Sequence, residues 1–166
     1  MMITVIVTGS TTGNTDDVAD ELRELLGAKI TPAHTTDPHS LSGCDLLILG
    51  ASTWDDGVLQ DDMDAFLQKL AAANVEIPCA AIFGLGDQIG YSDTFVDGIA
   101  DIAAALDAKG IRRIGAWPVA DYEFTASRAA HGDHFMGLPV DQDNQPGKTT
   151  QRLTAWVDQL KRELAG

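Results

Sequence analysis

Short apolar runs alternating with amphipathic stretches constrain this chain more than any other feature of its sequence. Ile3 to Thr8 (ITVIVT), Leu46 to Ala51 (LLILGA) and Cys79 to Gly84 (CAAIFG) are continuous and apolar, and read as strands buried on both faces. A weaker strand falls at Ala28 to Ala33 and a last one at Arg112 to Trp117. Between them lie helical spacings: Val18, Leu22, Leu25 and Leu26 within Asp16 to Leu26, then Met63, Phe66, Leu67 and Leu70, then Phe95, Ile99, Ile102 and Leu106 within Thr94 to Ala108. A final helix is expected over Thr150 to Ala165, with Leu153, Trp156, Val157, Leu160 and Leu164 on one face, and Trp156 is expected in the core. Buried strands separated by amphipathic helices predict a five-stranded parallel sheet covered on both sides, a three-layer doubly wound α/β fold with right-handed crossovers. With 166 residues, no internal repeat and no Pro/Gly/Ser-rich linker, residues 1–166 are expected to form a single domain. The segment Pro118 to Pro139 sustains neither period and reads as a long excursion before the chain returns to the sheet.

Charge narrows the partners. The chain has 25 acidic and 11 basic residues, a formal net charge of −14. Such a surface repels nucleic acid and anionic membranes and is steered toward basic partners, although acidity by itself also serves solubility. No run reaches the roughly 20 apolar residues of a membrane span, and Met1 to Thr8 lacks a basic leader region, so a cytoplasmic protein is expected. Cys44 and Cys79 flank apolar runs without metal-ligand spacing and read as buried free thiols. His131 and His134 lie three apart without a third ligand, and no metal is assigned.

In an open parallel sheet, ligands bind beyond the carboxyl ends of the strands, where strand order reverses. Three loops at such ends are unusual. Gly9-Ser10-Thr11-Thr12-Gly13-Asn14-Thr15 combines two glycines with four hydroxyl side chains between a strand and a helix. It suits a terminal phosphate, since glycine lets backbone N–H groups turn inward, the helix start adds a positive dipole end, and hydroxyls add donors. An ordinary helix cap accounts for one or two of these residues. Asn14-Thr15 stands where a triphosphate loop needs Lys-Ser/Thr, and the glycine spacing is not that of a dinucleotide fingerprint. The second loop, Ser52 to Leu59, places Trp54 among polar residues, either as a partly exposed anchor or as a platform. The third, Gly84 to Asp93, places Tyr91 in a glycine-rich loop. A flat aromatic ligand carrying a phosphate, held between Trp54 and Tyr91, satisfies all three loops, and FMN is such a ligand.

Ser10 to Thr15, Thr53-Trp54, Gly86-Asp87-Gln88-Ile89-Gly90-Tyr91-Ser92-Asp93 and the Asp-Gln-Asp-Asn-Gln run ending at Gln145 resemble long-chain flavodoxins over nearly the whole chain. The Gly-Asp-Gln-x-Gly-Tyr-x-Asp signature is the most specific of these. The resemblance implies sheet order 2-1-3-4-5 and an insertion, Pro118 to Pro139, splitting the last strand; this family is itself a type case of the strand-end binding rule. It implies a low-potential one-electron carrier that binds FMN without a covalent bond, with no catalytic residues. Ser10, Thr11, Thr12, Gly13, Asn14 and Thr15 would bind the phosphate, and Trp54 and Tyr91 would flank the ring. Thr53, Asp55, Asp56, Gly57, Leu85, Gly86 and Asp87 would contact the ring, and Asp143 the ribityl chain. Gly57 makes its loop permissive, so that the peptide between Asp55 and Asp56 could turn its carbonyl toward flavin N5 when an electron and a proton arrive. The family often has Asn where Asp55 stands, a departure that adds negative charge near the ring. Carboxylates around the site imply a strongly reducing second couple. The implied partners are basic-surfaced redox proteins, such as an NADP reductase or low-potential oxidoreductases, approached by a monomer. The rival readings are an FMN-dependent quinone reductase of the same fold, which would need a substrate pocket beside the ring, and a colourless phosphate-binding domain, which leaves both aromatics unexplained.

Overall fold

The computed structural model describes residues 2–166. Strand β1 (Thr4–Gly9) lies at the centre of a sheet, between β2 (Lys29–Pro32) and β3 (Leu46–Trp54), and all three are parallel. β3 continues the sheet to a further parallel strand, Cys79–Leu85, and also forms a short antiparallel hairpin with β4 (Val58–Leu59). Numbered in chain order, Cys79–Leu85 is β5. The last position in the sheet is shared by two segments, β6 (Arg112–Ile114) against Cys79 to Ala81 and β10 (Leu138–Val140) against Phe83 to Leu85. Counting only the parallel positions, the order is the expected 2-1-3-4-5 with the last strand split.

Strand alternation sends neighbouring residues into two separate cores. Val5, Val7, Leu47, Leu49 and Ile82 face helices α2 (Asp61–Ala72) and α3 (Asp97–Ala108), whose Met63, Phe66, Leu70, Ile99, Ile102 and Leu106 are fully buried. Ile6, Ile48, Ala81 and Phe83 face the other way, onto α1 (Asn14–Leu26) and α4 (Thr149–Ala165) through Val18, Leu22, Leu153, Trp156 and Leu160. Cys44 and Cys79 are buried free thiols, and burial pushes both thiol pKa values up.

Several element boundaries differ from the sequence reading. The expected strand Arg112 to Trp117 stops at Ile114, because Gly115 adopts φ 86° and a side chain there would meet the Trp156 indole. Trp156 is fully buried, and its Nε1 donates to the Gly115 carbonyl at 2.9 Å. The excursion therefore runs from Gly115 to Gly137 rather than from Pro118 to Pro139, and Pro139 belongs to β10, pairing with Gly84. An edge position tolerates that proline, since its missing N–H is not needed there. The insertion forms its own antiparallel sheet of β7 (Trp117–Pro118), β9 (His134–Phe135) and β8 (Ala130–His131). Its Tyr122, Phe124 and Phe135 rings pack on Phe95, with centroids 5.6 to 5.9 Å from it. Helix α3 also begins later than Thr94, because Val96 takes a left-handed conformation at φ 48° and the Ser92 carbonyl accepts from Thr125 and Ala126 of the insertion.

Candidate functional site

The carboxyl ends of β1, β3, β5 and β10, with the loops that follow them, meet in one cleft at the edge of the sheet. The first contributes Thr12 and Asn14, the second Ser52, Thr53, Trp54 and Asp55, the third Leu85, Gly86, Asp87 and Tyr91, and the last Gln142 and Asp143. Trp54 is 37% exposed and Tyr91 53%, and both border the cleft. Two exposed aromatic side chains gathered at one cleft make it the candidate place for a flat ligand.

Gly13 precedes α1 at φ 93°, a conformation that costs other residues about 1 kcal/mol or more. Having no side chain, it leaves the helix start without a side-chain cap, and nothing lies within 4 Å of where a Cβ would stand. The loop is held from behind: Ser10 Oγ accepts from the Gly13 N–H at 3.0 Å, and Thr15, buried, shares a hydrogen bond of 3.2 Å with Ser52 Oγ. Thr11 Oγ1 accepts from Gln60 Nε2 at 3.4 Å. Thus Thr12 and Asn14 face the cleft, whereas Ser10, Thr11, Gly13 and Thr15 shape the turn that lines it.

Asp55, Asp56 and Gly57 form the tip of the β3–β4 hairpin. Asp55 has φ 47° and Gly57 φ 90°, and a non-glycine residue held there stores strain. Asp55 lines the cleft; Asp56 and Gly57 do not. Asp87 lines it too, but its carboxylate serves its own loop, accepting from the N–H groups of Ile89 and Gly90 at 3.1 and 2.7 Å and from Asn144 Nδ2 at 2.7 Å. These donors, Gly90 first, hold the Asp87 pKa below the usual carboxylate range. Asp143 is affected oppositely: burial, then the charges of Asp87 and Asp141, raise its pKa.

Because the Asp87 pKa is depressed on folding, its contribution to stability is complete above the unfolded carboxylate pKa and fades as pH falls through the lower folded value. Asp87→Asn is therefore expected to destabilise the apoprotein most at neutral pH and progressively less toward about pH 3. Urea unfolding of both proteins across that range measures the difference, and a penalty that grows on acidification would refute this role.

Two supports escaped the sequence reading. Asp141 is fully buried and accepts from the Gln88 N–H and Nε2 at 3.0 and 2.6 Å, and from the N–H groups of Asp143 and Asn144 at 3.1 and 3.0 Å. Gln88, 1% exposed, then accepts from the Glu123 N–H at 2.6 Å, so one buried carboxylate joins the third loop, the last loop and the insertion. Both residues stood within the family-like motifs, but nothing in a single sequence marks an aspartate as buried. Ser52 and Gln142 are also cleft residues that the sequence did not single out. His131 and His134 are exposed, and among the described residues no cluster of three or more His, Cys, Asp or Glu side chains is placed to hold a metal.

A doubly wound α/β fold whose strand-end cleft joins an uncapped, hydroxyl-rich helix start to two open aromatic rings defines a mononucleotide-binding protein of the flavodoxin-like class. The flavodoxin family model matches residues 6–156. Flavodoxin 1 of Salmonella typhimurium is 38% identical over 99% of this chain and 96% of its own length, and the flavodoxin of Synechococcus elongatus 35% identical over 94% of both. The chain belongs to the flavodoxin family, FMN-bound electron carriers, and is an electron-transfer protein rather than an enzyme. In fold it superposes on the crystal structure of Fusobacterium nucleatum flavodoxin bound to flavin mononucleotide with a TM-score of 0.91, at 23% identity, over 98% of this chain and 99% of the other.

Proposed function

We propose that residues 1–166 act as one unit that holds a single FMN in the strand-end cleft and passes electrons at low potential to and from proteins with basic docking faces. The observation that carries this reading is the pair of exposed rings, Trp54 and Tyr91, lining the same cleft as the uncapped start of α1. The residues fit the group. A phosphate set at Ser10 to Thr15 would receive backbone N–H and hydroxyl donors and the positive end of the α1 dipole without any Lys or Arg. Trp54 and Tyr91 would flank the ring, and Thr53, Asp55, Asp56, Gly57, Leu85, Gly86 and Asp87 would surround its edge, with Asp143 beside the ribityl chain. FMN supplies a centre that gains and gives up one electron at a time.

The chain's own groups set how readily that happens. Asp55, Asp56, Asp61, Asp62, Asp87 and Asp93 lie on or next to the cleft loops, and their charge opposes added negative charge in the cleft, which favours a low potential. The same carboxylates, within a net charge of −14, would draw basic partners such as an NADP reductase or low-potential oxidoreductases into brief, salt-sensitive encounters. A monomer in the cytoplasm fits this shuttle role. Among the described residues no helix is long and apolar enough to cross a membrane, and both cysteines are free thiols.

Reconstitution tests the cleft assignment. The apoprotein is expected to take up one FMN per chain, and Trp54→Ala and Tyr91→Ala are each expected to weaken binding by about tenfold to a hundredfold, or ~1.4 to 2.8 kcal/mol. Unchanged affinity in both variants, measured by flavin fluorescence quenching, would place the flavin elsewhere.

A further inference from the structure

Arg128 belongs to the insertion yet reaches the hairpin tip that lines the cleft. Its Nη2 donates to the Gly57 carbonyl at 3.2 Å. The same guanidinium holds α3 at two places: Nη1 and Nη2 meet Asp101 at 3.0 and 3.2 Å, and Nε meets Asp97 Oδ2 at 3.3 Å, while the Arg128 N–H donates to Asp97 Oδ1 at 2.8 Å. Asp97 is 4% exposed and stands behind Gly57, where a Cβ would come within 2.7 Å of its Oδ2. The insertion itself is fixed there by hydrogen bonds from Thr125 and Ala126 to the Ser92 carbonyl and by its aromatic rings on Phe95.

The hairpin is consequently held on both sides of its tip. Its base is the Trp54 and Val58 pair, and Thr53 Oγ1 accepts from the Gly98 N–H at 2.9 Å. The Gly57 end is tied to Arg128. Between them, the peptides joining Asp55 to Asp56 and Asp56 to Gly57 make no hydrogen bond to α3 or to the insertion.

We propose that Arg128 is a positioning residue for electron transfer, fixing the Gly57 carbonyl so that reorganisation of the flavin-facing turn is confined to the peptides between Asp55 and Gly57. This rests on the cleft holding FMN as described above. A turn restrained at both ends samples fewer competing shapes, so the carbonyl it offers to a newly protonated flavin N5 costs less to present. Releasing the Gly57 end lets the turn relax into arrangements that do not present that carbonyl, and the first one-electron potential falls. On a bound flavin, an electron taken up with a proton would leave the charge unchanged and form an N5–H that would persist through a second electron, whereas that second electron would add charge. Nearby charge therefore acts mainly on the second potential and the turn on the first.

The test is potentiometric titration of the FMN-loaded wild-type protein, Arg128→Lys and Arg128→Met at one pH and ionic strength. Lysine keeps the charge but lacks the planar fork, and cannot hold Asp97, Asp101 and the Gly57 carbonyl together. Both variants are expected to weaken the first reduction equilibrium by about tenfold, or about 59 mV for one electron. The second potential is expected to stay at the wild-type value in Arg128→Lys and to fall in Arg128→Met. Wild-type first potentials in both variants, or first and second potentials falling equally in Arg128→Lys, would overturn the role of Arg128. Failure of the wild-type chain to take up FMN would instead remove the cleft assignment on which that role depends.

Discussion

Replacing Asp141 by alanine is expected to destabilise the apoprotein by at least about 3 kcal/mol, a large share of the 5–15 kcal/mol typical of a domain. The carboxylate is fully buried and accepts from Asn144 Nδ2, which Asp87 also holds, and from four further donors of two loops, the Gln88 N–H and Nε2 and the N–H groups of Asp143 and Asn144. Alanine leaves the two Gln88 donors buried without an acceptor and the Asp143 and Asn144 N–H groups to find water, and each unsatisfied buried group costs about 1–3 kcal/mol, less where water enters the vacated space. Asp141→Asn should fall between, because its amide keeps one acceptor oxygen but turns an NH2 toward groups that are themselves donors. The loss also loosens Gln88 and, through it, the Glu123 end of the insertion, so FMN affinity should fall with stability. Urea unfolding of the two variants measures the effect. A change below about 0.5 kcal/mol for Asp141→Ala, the range of an ordinary surface substitution, would show that the buried carboxylate does not organise the site.

FMN is expected to bind at least about a thousandfold more tightly than riboflavin, a difference of about 4 kcal/mol. The Ser10 to Thr15 turn carries no Lys or Arg, and its capacity lies in N–H groups and hydroxyls, with Gly13 leaving the start of α1 uncapped. Each hydrogen bond to a charged phosphate oxygen contributes about 1.5–3 kcal/mol, so losing two or three of them accounts for the ratio. Asp16 and Asp17 in the first turn of α1 oppose the anion, but both are exposed to water, which screens them. Because the donors are neutral, the preference for FMN should persist at high salt. A ratio below tenfold, or one that collapses as salt rises, would mean that the turn does not hold the phosphate.

The layers and most element positions were legible because buried parallel strands and amphipathic helices have different hydrophobic periods. Ile3 to Thr8 and the Met63 to Leu70 face allow little else. What was not legible depended on contacts between distant residues. Gly115 ends its strand because Trp156, forty-one residues later, takes its carbonyl, and Pro139 sits in a strand only because that strand is an edge. At the site, residue type and loop position pointed to Thr12, Asn14, Trp54 and Tyr91, and the family resemblance added Thr53, Asp55, Leu85, Gly86, Asp87 and Asp143, all of which line the cleft. The scaffolding behind them was hidden. Asp141 and Arg128 are charged residues in polar segments, where sequence pattern suggests only a solvated surface, and their importance comes from what the fold brings within 3 Å or so of them.

The most direct test of one-electron transfer on bound FMN is an anaerobic reductive titration of the reconstituted protein, followed from the near ultraviolet to the far red. The expected result is a yellow protein that is reduced in two resolved one-electron steps, the second at markedly lower potential than the first. Reduction in a single two-electron step, or a protein that takes up no FMN, would contradict it.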